Sequence, residues 1–451
     1  MKHLKLAVSI ALAALATSCN TKENPIEPPV VNPPKVSISN PTEATELAQG
    51  DTLRLKASIE EGSEKTSFSW EVNGETASTD STLAFVGSKL GAAQITLRVE
   101  TKSKEYTEEL SIEVHGKYKH GTFVLNEGSA FQHNGTLTFI SEKGIVEDSI
   151  YYKNNDQVGL GSAVQDLFIG NGKIYIVTQN GASLDEPAEG FLIIANAETM
   201  KKEASYNTEL NSLSWPSHVA ALSANSVYIR DNSGLKLFNP TTKEISQIKA
   251  PARAAKNTMI VASKKLFVPA GKYVMVVEEG KDSISHAIEF ENNVGGLAKA
   301  DDGNLWVAIS GSPSKICKVN TSTYEITKTN EVSEVNLSMG FYANSIITAK
   351  GNTLYFSRSR MQIYRHDFNK GSTEQLIAVP DYVEDAGMAY NNPAVHPQTG
   401  ELYYNTIKGY GNDYLTNNIS VFNFSKEPPL VANYKNHTAF PAGIFFTYNF
   451  E

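Results

Sequence analysis

The sequence predicts an all-β protein in two parts, a small β-sandwich followed by a seven-bladed β-propeller. Three observations carry that prediction. Between Val36 and Val114 the apolar residues alternate in short runs; beyond Gly116 a turn and an aromatic-bearing strand recur seven times; and the last segment reads as a strand with nothing after it to pair with. Composition agrees. The chain has 451 residues, 41% hydrophobic and 20% charged, with 2 cysteines, which excludes low-complexity disorder and a disulfide framework. A net charge of −9 argues against nucleic acid, whose phosphates need a basic footprint.

Residues 1–18 read as a secretory signal, with Lys2 and Lys5 ahead of an apolar run from Leu6 to Ala16 that falls short of the ~20 residues needed to cross a bilayer. Leu15-Ala16-Thr17-Ser18-Cys19 resembles a bacterial lipobox, which implies cleavage before Cys19 and lipid on its thiol. The expected location is the cell outer membrane, lipid-anchored and surface-exposed, with membrane contact only through Cys19. Residues 19–35 form a tether whose five prolines favour extended chain.

The sandwich is expected over 36–115. DTLRLKASI, SFSWEVNG, AAQITLRVE and EELSIEV each put every second residue on one face, including Leu53, Leu55, Trp70, Ile95, Leu97 and Val99. The Trp70 run resembles the third strand of immunoglobulin-like or PKD-like modules, which implies a spacer.

The propeller is expected over 116–451. Phe123, Tyr175, Tyr228, Phe267, Trp306, Tyr355 and Tyr403 mark the repeated strand, about 40–50 residues apart, the spacing of four-stranded blades. The fifth unit shows the plan: an inner strand near Gly295–Lys299, a turn at Asp302-Gly303, strands Leu305–Ala308 and Ile316–Val319, and an outer strand Tyr324–Lys328. Cys317, in the third strand, reads as a small buried hydrophobe. HGTFVLNEG opens the domain without an inner strand and PAGIFFTYNF closes it without partners, so joining them completes the seventh blade and removes the open edge.

Chemistry-bearing motifs are missing from the sequence. The 9 histidines show no zinc spacing, and there is no nucleophile elbow or phosphate loop, so no metal, cofactor or catalytic residue is assigned. Acidic residues near the channel, Glu127, Asp156, Asp166 and Asp385, leave an enzymatic alternative, but the reading is non-enzymatic. The loops that converge on one propeller face are rich in Asn, Gly, Tyr and Arg, the vocabulary of recognition surfaces. The ligand-binding face is therefore assigned to Asn126, Glu127, Phe131, His133, Trp215, His218, Arg358, Arg360, Tyr410, Asn412 and Tyr414.

GTFVLNEGSAFQHNGTLTFI, VQDLFIGNGKIYIV and FPAGIFFTYNF together resemble the YncE-like seven-bladed propeller lipoproteins of Bacteroidetes, including BtuG-type surface proteins that capture cobalamin. The resemblance spans Gly116 to Glu451. It implies a non-catalytic receptor that captures a corrinoid-like small molecule for a TonB-dependent outer-membrane transporter. Two alternatives stand beside it: surface glycan binding, for which Tyr410, Tyr414, Trp215 and Phe131 would serve as platforms, and a protein-protein adhesion or scaffold module.

Overall fold

A computed structural model describes residues 35–60, 66–102, 104–340, 344–358 and 361–447. Cys19, the signal, the tether up to residue 34 and Arg360 lie outside them. The chain forms two compact units, one made of residues up to Ala44 with Arg54–Phe85 and Ala93–Ser111, the other of Thr45–Leu53, Val86–Ala92 and everything from Ile112 on.

The N-terminal strands form two sheets. Lys35–Ser39, Thr52–Glu60 and Thr82–Val86 make one; Glu46–Ala48, Glu105–His115, Gly91–Glu100, Ser67–Val72 and Glu75–Ser78 make the other. The alternation expected from the sequence is what fills the core. Leu53, Leu55, Trp70, Ile95, Leu97, Val99 and Ile112 are all buried, and the Trp70 indole, apolar except for its N–H, donates that hydrogen to the carbonyl of Asp80 at 3.0 Å.

Among the described residues seven antiparallel sheets follow, each with an inner, second, third and outer position; in the seventh the inner position is divided between Met388–Ala389 and Ala394–Val395, which both pair with Leu402–Ile407. The first blade holds Gly121–Asn126, Thr136–Ser141 and Val146–Glu147, and takes its inner strand, Pro441–Phe446, from the far end of the chain. In the fifth blade the strands are Val294–Lys299, Leu305–Ile309, Ser314–Val319 and Ile326–Val332. Its outer strand begins two residues later than the sequence suggested. Tyr324 has φ 65, a left-handed turn conformation, and leaves the ladder to stack on His286, ring centroids 4.5 Å apart.

Burial peaks on the second strands, which neighbouring blades cover on both faces, and falls toward the outer strands. The second strand of the first blade, GTFVLN, is wholly buried, whereas the outer strand of the fifth, ITKTNEV, is mostly exposed. All seven repeated aromatics, Phe123 through Tyr403, sit on second strands and are buried. Each seam between neighbouring blades is filled by an apolar cluster, and the last one joins Val124, Ile140 and Ile444 to Tyr403, Ile419 and Val421, closing the ring. Cys317 belongs to the seam of blades four and five, and burial raises its thiol pKa, so it is a core residue and a poor nucleophile.

Candidate functional site

In an antiparallel blade the loop from second to third strand emerges at the same end as the loop from outer strand to next inner strand. Three such loops enclose a cavity of about 630 Å³. His133 and Asn134 come from the first blade's second-to-third loop and Thr136 from the start of its third strand; Ser149, Tyr151, Tyr152, Asp156 and Gln157 from the crossing to the second blade; Glu186 and Pro187 from the second blade's second-to-third loop. The crossing contains a short helix, Ile150–Asn154, followed by Asp156 and Gln157 at φ 52 and φ 61. Two successive left-handed residues that are not glycine are costly, and they turn the chain sharply along the cavity wall.

Glu186 ties two of these loops together. Its Oε1 is 3.3 Å from His133 Nδ1, and its Oε2 accepts from the Asn134 backbone N–H at 3.3 Å and from Asn134 Nδ2 at 3.4 Å. The Asn134 Oδ1 is buried without a hydrogen-bond partner among the described residues, an acceptor that a ligand hydroxyl or amide would satisfy. Tyr151 donates its hydroxyl to Glu189 Oε1 at 3.0 Å, and burial together with that carboxylate pushes the phenol well above its ordinary value. Tyr152 remains exposed, an aromatic edge available for contact.

A second group lies on the other side of the first blade's loop, where Phe440 precedes the closing strand. The Phe440 carbonyl accepts the Glu127 N–H at 2.9 Å and its ring stacks on Tyr414, centroids 4.3 Å apart and planes 12° apart. Tyr390 and Tyr410 approach the same ring at 5.0 and 6.2 Å. Tyr390 also donates its hydroxyl to Glu127 Oε2 at 3.0 Å. Burial raises the Glu127 carboxyl pKa against the opposing effects of Tyr390, Lys256 and Gln165. Asp166, on the second blade's inner strand, is raised as well, to about 7, by desolvation, although it accepts the Val219 N–H at 3.1 Å.

The eleven residues assigned from sequence divide by environment. Tyr410, Tyr414 and Glu127 join the aromatic group, and His133 joins the cavity. Phe131, Trp215 and Asn412 are exposed loop residues, Phe131 at 90% and Trp215 at 62%. Trp215 protrudes because the flanking backbone is pinned, Ser214 N–H to Asp231 Oδ2 at 2.9 Å and Ser217 N–H to the Arg230 carbonyl at 2.9 Å. Asn126 and His218 do not reach solvent. Asn126 donates to Thr136 and Thr138 hydroxyls within its own sheet, and His218 is 3.0 Å from Ser217 Oγ. Arg358 is spent on neutral oxygens of Asn336 and Ser338.

Sequence reading missed Phe440, Tyr390, Asn134 and Glu186. Asn134 and Glu186 fall within loops that the repeat had placed on this face, so the signal lay in loop membership. Phe440 and Tyr390 had no such signal, since the rings and the carboxylate they meet, Tyr410 and Tyr414 for Phe440, Phe440 and Glu127 for Tyr390, are distant in sequence.

The fold and face define a propeller with a loop-built recess, preceded by a sandwich module. A family model described as "Domain of unknown function (DUF5074)" matches residues 120–447, and the chain belongs to that family. A PKD-like domain matches residues 33–101. Among solved structures, a quinonprotein alcohol dehydrogenase-like protein from Bacteroides thetaiotaomicron is similar at 18% identity and TM-score 0.53, covering 90% of this chain and 97% of that one. A protein of unknown function from the same organism aligns at 12% identity and TM-score 0.31, over 73% of this chain and 96% of that one. A comparison with curated proteins gives no match. The first of these neighbours supports the propeller architecture.

Proposed function

We propose that this chain is a non-catalytic capture protein that holds a small nutrient molecule on the loop face of its propeller. The observation that carries this is the recess of about 630 Å³, a size suited to a small ligand, with a few fixed polar groups converging on it. The resemblance to YncE-like and BtuG-type lipoproteins favours a corrinoid-like ligand, anchorage at the outer membrane through Cys19 and hand-over to a TonB-dependent transporter.

The aromatic group at Phe440 supports a second reading, surface glycan binding, because stacked rings present flat apolar faces of the kind sugars rest on. One experiment separates the two. Purified protein incubated with cobalamin and desalted should keep the corrinoid absorbance under the first reading; under the second it should lose it and be retarded in gels containing polysaccharide. Failure in both, with an outer-membrane protein co-purifying, would leave the scaffold reading.

A further inference from the structure

Folding brings together three ligating side chains that no sequence spacing unites. Glu46 lies on a strand that runs parallel to the end of Glu105–His115, with Ala48 opposite His115, and His120 follows just beyond. All three belong to the second compact unit. One ligand atom from each lies within 4.8 Å of the others. His120 Nε2 is 3.6 Å from Glu46 Oε2, and the two imidazoles meet edge to face with centroids 4.9 Å apart. His115 Nδ1 is 2.9 Å from the carbonyl oxygen of Gly116. A carbonyl only accepts, so that nitrogen carries the proton and Nε2 keeps its lone pair. The same bond to a backbone carbonyl is how proteins fix the tautomer of a metal-ligating histidine.

We propose that Glu46, His115 and His120 form a three-ligand site for a divalent transition-metal ion, zinc foremost, with the fourth position open to water. Two imidazoles and one carboxylate suit zinc, nickel or copper, whereas calcium and magnesium demand more oxygens. Tetrahedral ligands at zinc bond lengths stand about 3.3 Å apart. The Glu46–His120 pair is already near that separation, and the third ligand closes by rotation of partly exposed side chains. Lys119 Nζ, 3.4 Å from Glu46 Oε2, is the competitor that a metal ion has to displace. The pairs His133–Glu186 and His437–Asp148 each provide only one imidazole and one carboxylate, which makes them controls.

The test is calorimetric titration of zinc chloride into the full chain, purified without a histidine tag. One ion per chain is expected, with at least tenfold weaker binding in His115→Ala, His120→Ala and Glu46→Gln and no change in His133→Ala or His437→Ala. Lys119→Gln should bind several-fold more tightly, a gain that a misfolded variant would not produce. Zinc should also raise the thermal midpoint of the wild type but not of the His115→Ala/His120→Ala double variant. Absence of saturable uptake by the wild type, unchanged binding in the double variant, or weaker binding in Lys119→Gln would each overturn the site.

Discussion

Trp215 and Tyr410 are large apolar side chains that the backbone holds in solvent, at 62% and 56% exposure, and such anchors gain most from covering by a ligand. Replacing both with Ala should weaken ligand binding by about tenfold or more, at roughly 1.4 kcal/mol per factor of ten, while leaving the melting temperature nearly unchanged. Normal binding by the double variant would remove these residues from the face. Asp166 makes a prediction of opposite kind. Desolvation raises its folded-state pKa from 3.8 to about 7, so the folded chain holds a proton that the unfolded chain releases. Its contribution is therefore greatest in acid and declines as pH rises from about 4 to 7. Asp166→Asn, which keeps an oxygen for the Val219 N–H, should flatten that decline in urea midpoints measured across the range. An identical pH profile in the two proteins would contradict the assignment.

At the level of elements, the strand Pro441–Phe446 has its edge on Gly121–Asn126 and contributes Ile444 to the seam with the seventh blade. Deleting residues 441–451 strips the inner strand from the first blade and uncovers that seam. The truncated protein should lose cooperative unfolding and bind hydrophobic dyes; an unchanged melting temperature would refute closure. A gentler probe is Gly295→Ala in the fifth blade's inner strand, where an added Cβ would stand 1.8 Å from the Leu337 carbonyl oxygen. The inner strand must move away from the next blade's entry segment, and a loss of about 1–3 kcal/mol is expected, read from denaturant midpoints. Elements of this kind were legible in the sequence because their signal is local: one aromatic per second strand, a turn before it, alternation within it. The site was legible only as loops. Asn126 and His218 read as loop-end polar residues yet lie at positions where the ladder has begun, and their side chains turn to Thr138 and Ser217. Phe440 and Glu46 gain their meaning from partners far along the chain, which no window of sequence contains.

For the molecule as a whole, the proposed address and the fold can be tested apart. Cys19→Ser should shift the protein from the membrane pellet to the soluble fraction without altering its thermal midpoint, because Cys19 precedes the first described strand, which begins at Lys35. A variant still in the pellet would remove Cys19 as the anchor. No helix among the described residues is long and apolar enough to cross a membrane.

The shared first blade also sets a timetable. Its second, third and outer strands are made early, but the strand they wait for ends at Phe446, about 300 residues later, so ring closure is deferred until Pro441–Phe446 has been synthesised. Throughout that interval the edge of Gly121–Asn126, an unbroken run of buried-type residues, is open to pairing with any other strand. A ring closed this way is therefore most vulnerable to aggregation while it is being made, and chaperone demand should fall sharply once Pro441–Phe446 arrives.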